Sequence, residues 1–209
     1  MQYDLVDTPL GWMGLLASSA GLRRTTLPQP TPEDVIVLLG EEAADADHSP
    51  ERFQRLRRSI ERYFAAQAVS FLDEATDLHH ATAFQRAAWA ACRSIPAGET
   101  RSYKWLASQA GRPNASRAAG RTMATNRLPV IVPCHRVIAS DGSLGGFGRG
   151  AAQLDLKRRL LDLEARAMGS GFDVKRPRTR RPSRPGPGAR GAGAPAPSRR
   201  LRAPAATPW

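Results

Sequence analysis

The chain has 209 residues, of which 41% are apolar, with a formal net charge of +12 and two cysteines. That length allows one large domain or two small ones around a real hydrophobic core. Two cysteines exclude a disulfide framework and favour a reducing, cytoplasmic setting. No apolar run is long enough to span a bilayer, and Met1-Gln2-Tyr3-Asp4 lacks the basic start of a secretion signal, so neither a membrane anchor nor a leader is expected.

The first predicted unit covers residues 1–78. Asp7-Thr8-Pro9-Leu10-Gly11 reads as a turn, and Trp12 to Ala17 as a strand. Ser19-Ala20-Gly21 turns the chain into a second strand, Leu22 to Leu27, which makes a hairpin. Between Pro50 and Phe64, the apolar residues Phe53, Leu56, Ile60 and Phe64 recur at the spacing of one helix face.

The second predicted unit covers residues 79–168. Thr82-Ala83-Phe84-Gln85 has the form of a capping box. The helix behind it carries Phe84, Ala88, Ala91, Cys92 and Ile95 as an apolar stripe, and Cys92 is read as a small core residue. Ser102 can cap a short helix that stops at Gly111. Arg112-Pro113-Asn114 starts another, from about Ala115 to Thr125, which makes a candidate helix-turn-helix. Its second helix carries Arg117 and Arg121 beside Ala118, Ala119 and Gly120. Composition alone leaves two readings open, a helix entering a groove or an Ala-rich core helix.

Pro129 to Val132 is predicted to be a short apolar strand leading to Pro133-Cys134-His135-Arg136-Val137. On an extended segment, neighbouring side chains point to opposite sides, so direct contact between Cys134 and His135 is not assured, and a water could relay the proton. A thiol becomes a strong nucleophile when a base takes its proton, and an imidazole can do so. The imidazolium then gains from a carboxylate partner. By spacing, Glu164 is one of several candidates with Glu99, Asp141, Asp155 and Asp162. A Cys-His dipeptide can also be accidental adjacency.

Asp141-Gly142 signals a turn. Leu144 to Gly150 is a Gly-rich loop without the Lys-Ser/Thr ending of a phosphate loop, and better suited to closing over a flat ligand. The last predicted helix, about Gln153 to Ala167, offers Leu156, Leu160 and Leu163 to the core, with Leu161 and Glu164 on a flank near Lys157. No metal is expected, since the four His and two Cys lack zinc-site spacing. Residues 169–209 form a third zone. From Ser170 on, the chain holds ten of the 31 Lys/Arg but only one acidic residue, Asp173, and eight prolines. Such a segment has little apolar bulk to offset ordering entropy, and its charge suits an anionic surface.

Pro133-Cys134-His135-Arg136-Val137 resembles the active-site signature of the methylated-DNA–protein-cysteine methyltransferases, the O6-alkylguanine-DNA alkyltransferases. Thr82 to Arg86, Ile95 to Tyr103 and Gly111-Arg112-Pro113 also look like that family, in its order. Asp7 to Gly11 resembles the start of its N-terminal domain. The likeness covers about residues 1–167 and is strongest from 82 to 147.

The resemblance implies an α/β (α+β) protein. A small ribonuclease-H-like sheet-plus-helix domain would precede a mainly helical domain with a helix-turn-helix. It implies double-stranded DNA containing O6-alkylguanine as partner, a monomer, no cofactor, and single-use transfer of the alkyl group to Cys134, with O4-methylthymine as a further substrate. The target base must leave the stack to reach a thiolate. His135 would act as base through water and Glu164 would complete the relay. Asn126 would tie the recognition helix to the active-site segment. Arg117 would fill the vacated place in the stack, Tyr103 would crowd the target phosphate, and the Val137 carbonyl would accept from the guanine amine. Arg121, Arg136, Phe147 and Gly148 belong with these on the DNA or base side.

The sequence departs from the family at Arg127, where proline is usual, and at Phe147, where tyrosine is common. Its N-terminal part also has no cysteine for a zinc site. Two rival readings are a lesion-recognising DNA-binding protein with weak or no transfer, and a cysteine peptidase or amidase. Cys134 speaks against the first; the Arg117 and Asn126 context speaks against the second.

Overall fold

The computed structural model describes residues 1–145 and 151–169. The chain begins with strand β1 (Gln2–Thr8), followed by β2 (Gly11–Ser18) and β3 (Gly21–Thr25). Helices α1 (Pro32–Leu39) and α2 (Glu41–Ala44) lead to the short strand β4 (Asp47–His48) and helix α3 (Pro50–Phe64). Helix α4 (Ala83–Arg93), strand β5 (Arg101–Ser102), and helices α5 (Tyr103–Gln109) and α6 (Ser116–Ala124) come next. A 3₁₀ turn at Cys134–Arg136, strand β6 (Val137–Ile138) and helix α7 (Ala151–Ala167) complete the described elements. The architecture is mixed α/β, with a small sheet and helices packed around it.

The sheet order is β3-β2-β1-β4, with β1 and β2 antiparallel, β2 and β3 antiparallel, and β4 parallel to β1. The β2–β3 hairpin matches the sequence expectation. Strand β1 was not foreseen, because its buried face reads Asp4, Val6, Thr8. A buried carboxylate on a core face hides the alternation that marks a strand. Asp4 is tolerated because Arg57 of α3 pairs with it at 2.9 Å. Helices α1 and α2 were also missed. Thr31 caps α1 through the Asp34 amide, and a proline sits in its first turn. Gly14 lets α1 lie directly on β2, since a Cβ there would stand 2.5 Å from Val35 Cγ1.

Helix α3 runs over the residues its periodicity predicts, with Phe53, Leu56, Ile60, Tyr63 and Phe64 buried against the sheet. The capping box at α4 is complete, with both Thr82–Gln85 bonds formed. Ser102 caps α5 through the Trp105 amide, and Gly111 follows that helix at φ +77°. Trp89 Nε1 donates to the Thr122 carbonyl at 3.2 Å and locks α4 to α6. One hydrophobic cluster joins side chains from both predicted units, including Val6, Ile60, Trp89, Met123, Val132 and Leu160.

The expected strand Pro129–Val132 is not a strand. The Val132 amide returns to the Leu128 carbonyl at 2.7 Å, and Val130 stands at φ +74°. A β-branched residue at positive φ is strained and needs its surroundings to hold it. Strand β3 supplies part of that hold, because Thr25 Oγ1 donates to the Pro129 carbonyl and the Thr25 amide to the Arg127 carbonyl, both at 2.8 Å. Among the described residues no helix is long and apolar enough to cross a membrane. Phe147, Gly148 and the basic segment from Ser170 lie outside the described residues.

Candidate active site

Cys134 opens the 3₁₀ turn, so the extended geometry expected around it is replaced by a tight bend. The Cys134 amide donates to the Val132 carbonyl at 2.7 Å and the Arg136 amide to the Pro133 carbonyl at 2.9 Å. The bend turns consecutive side chains to different walls. Cys134 is 7% exposed and lines a cavity of about 1040 Å³, which it shares with Tyr103, Arg117, Gly120, Arg121 and Asn126. His135 and Arg136 point into the protein, where both are buried.

Asn126, just beyond α6, holds the sulfur in place. Its Nδ2 donates to Cys134 Sγ at 3.2 Å and to the Val132 carbonyl at 2.8 Å, and its Oδ1 accepts from the Leu128 amide at 2.9 Å. The pairing of β5 with β6, Arg101 to Val137 and Ser102 to Ile138, sets the start of α5 beside the same bend. Tyr103 therefore stands at the cavity wall, facing Gly120 of α6.

Behind the thiol, His135 Nε2 lies 2.7 Å from Glu164 Oε1. A carboxylate can only accept there, so Nε2 carries the hydrogen and Nδ1 is left with its lone pair. Nδ1 is buried and has no protein partner among the described residues. Glu164 also accepts from Arg136 Nε at 2.9 Å, Arg136 Nη2 at 2.9 Å, Tyr63 Oη at 2.8 Å and the Gly98 amide at 3.3 Å. The expected flank position of Glu164 is thus corrected: it is 1% exposed, on a face of α7 that also buries Lys157, Leu160 and Leu161.

These features have relatives. Residues 83–166 match the family model for the 6-O-methylguanine DNA methyltransferase DNA-binding domain. The methylated-DNA–protein-cysteine methyltransferase of Methanosarcina barkeri is 37% identical over 168 residues, covering 78% of this chain and 97% of that one. The chain belongs to the methylated-DNA–protein-cysteine methyltransferase family. The Mycolicibacterium paratuberculosis member is 36% identical over 166 residues, covering 79% of this chain and 93% of its own. The crystal structure of Mycobacterium tuberculosis OGT in complex with DNA superposes with a TM-score of 0.66 at 33% identity, over 82% of this chain and 96% of that one.

In this methyltransferase-family chain, burial sets most of the site's electrostatics. It pushes the Cys134 thiol above its ordinary value, while the Asn126 hydrogen bond and the Lys157 charge pull it back. Burial lowers His135 more than Glu164 raises it, so the imidazole is neutral and able to accept a proton. Burial opposes the charge on Glu164, but His135 and Arg136 outweigh it and hold the carboxyl well below its usual range. Lys157 is brought down to about 8 by burial. Its Nζ donates to the carbonyls of Val137 and Leu144, both at 2.6 Å, and lies 5.9 Å from the Tyr103 ring centroid.

The structure gathers Cys134, His135, Glu164 and Asn126, and places Tyr103, Arg117 and Arg121 around the cavity. Arg136 is corrected. It is buried and committed to Glu164 and to the Ile95 carbonyl at 2.6 Å, so it does not offer its guanidinium to DNA. The Val137 carbonyl already accepts from Lys157, which leaves one lone pair for any further donor. Sequence reasoning missed Lys157 and Tyr63 as members of the site. Both had a signal, since each falls on the buried stripe of its helix while carrying a polar tip.

Proposed function

We propose that this chain repairs O6-alkylguanine in double-stranded DNA by moving the alkyl group irreversibly to Cys134. The thiol proton passes through a water to His135 Nδ1, and Glu164 stabilises the imidazolium. The sulfur forms a bond to the alkyl carbon as the carbon–O6 bond breaks. The electron pair leaves with guanine, which ends protonated as the normal base. The thioether has no ready leaving group, so each molecule acts once. The observation that carries this reading is the Cys134 sulfur lining a cavity while a paired His135–Glu164 stands behind it. O4-methylthymine is a second substrate on the same chemistry.

In this reading α5 and α6 are a helix-turn-helix, with Arg117 entering the base stack, Tyr103 crowding the phosphate of the extruded nucleotide and Arg121 contacting the backbone. The antiparallel β3-β2-β1 set with β4 parallel at its edge supports a ribonuclease-H-like first domain, residues 1–78, ahead of a second, 79–168. The protein works as a cytoplasmic monomer without a cofactor. Phe147 and Gly148 are assigned to base recognition by the family resemblance, and 169–209 is a basic tail.

The test is Cys134→Ala. It should abolish removal of methyl groups from a duplex containing O6-methylguanine and leave binding to that duplex intact. Continued methyl removal by the variant would overturn the proposal. Tight lesion binding without transfer by the unaltered chain would favour a recognition protein instead.

A further inference from the structure

We infer that Tyr63, supplied by α3, is a positioning residue for the proton relay: its hydroxyl fixes the Glu164 oxygen that holds the His135 tautomer. The inference rests on the repair reading for its kinetic consequence, but its geometry stands alone. Tyr63 Oη lies 2.8 Å from Glu164 Oε1 and 3.3 Å from His135 Nε2. Its partners are 101 and 72 residues away in sequence, so the contact joins the first predicted unit to the second.

Packing does not require the hydroxyl. The ring sits edge-on to Phe64 and Phe71, at centroid distances of 5.2 and 5.8 Å, and a phenylalanine would fill the same space. A buried hydroxyl costs free energy unless it is bonded. Burial, reinforced by the Glu164 charge, pushes the phenol well above its ordinary pKa. It therefore stays a donor and holds no proton of the relay. Arg136 forks the carboxylate, with Nε on Oε2 and Nη2 on Oε1, both at 2.9 Å, and fixes its plane from one side. The Tyr63 hydroxyl binds the same Oε1 from α3 and helps keep it aimed at His135 Nε2. The Nε2–H tautomer leaves Nδ1 as the acceptor for the thiol proton.

Tyr63→Phe removes the hydroxyl and keeps the ring. Two readouts are needed, the His135 tautomer from long-range ¹H–¹⁵N spectra and single-turnover transfer from an O6-methylguanine duplex. The unaltered protein should show the Nε2–H tautomer, and the variant a mixture. Transfer should slow roughly ten-fold, as expected for losing one hydrogen bond to a charged group, with duplex affinity unchanged. An unchanged tautomer and rate in the variant would overturn the inference. So would an Nδ1–H imidazole in the unaltered protein, a reading that needs no variant. If the unaltered chain transfers no methyl group, the repair reading fails, and the tautomer comparison still decides the role of Tyr63.

Discussion

Glu164 Oε1 stands 2.7 Å from His135 Nε2, and both side chains are 1% exposed. The same carboxylate neutralises Arg136 at 2.9 Å. One buried anion thus orients the base and balances a buried cation. Removing one partner of such a set leaves an uncompensated charge, which costs about 3–5 kcal/mol. Glu164→Gln is expected to lose stability on that scale and to transfer methyl groups far more slowly. Denaturant unfolding and single-turnover assays would check the two effects separately.

Acid should weaken the fold in two stages. His135 has a folded pKa below its ordinary 6.5, so the unfolded chain binds its proton first, and stability falls as pH drops from there. Glu164 has a folded pKa below its ordinary 4.5, so its contribution is present above that value and lost as pH falls further. Urea unfolding across this range should show both losses. Glu164→Gln should flatten the lower stage, and an unchanged lower stage would argue against the assignment.

Asn126→Ala removes the donor to Sγ and both backbone ties of the bend. The thiol loses the hydrogen bond that favours its ionised form, so its pKa should rise. Thiol-specific alkylation followed against pH should shift to higher pH. Stability should fall by about 1–2 kcal/mol.

Lys157→Met takes a positive charge from the neighbourhood of the thiolate. The Cys134 pKa should again rise, and the alkylation profile should move up. A downward move would contradict the sign of this electrostatic argument.

On the proposed reading of Arg117 as the residue that enters the base stack, Arg117→Ala separates base extrusion from chemistry. Transfer from duplex DNA should fall roughly ten-fold or more, because an unstacked base costs a few kcal/mol to hold out. Reaction with a free O6-alkylguanine base should be unchanged. Equal losses on both substrates would place Arg117 in the chemistry itself.

Much of this was legible in the chain. Helix α3 kept a regular apolar period, and α4, α5 and Gly111 carried capping and stop signals that depend only on local hydrogen bonds. The Cys134–His135 pair was legible from its motif, and Asn126 from the family resemblance. What escaped depends on long-range compensation. Strand β1 buries an aspartate that the distant Arg57 and His48 help make tolerable, and the bend at Val130 needs Thr25, more than a hundred residues earlier. Arg136 looked like a DNA contact because its partner, Glu164, is distant in sequence. The hydroxyl of Tyr63 could not be told from core packing until α3 and α7 were seen together.

The most direct measurement is the mass of the Cys134 peptide after the protein meets duplex DNA containing O6-methylguanine. The expected result is one added methyl on Cys134, no more than one per molecule, with guanine restored in the DNA. An unmodified Cys134 in protein that has removed methyl groups, or repeated turnover by one molecule, would contradict the account.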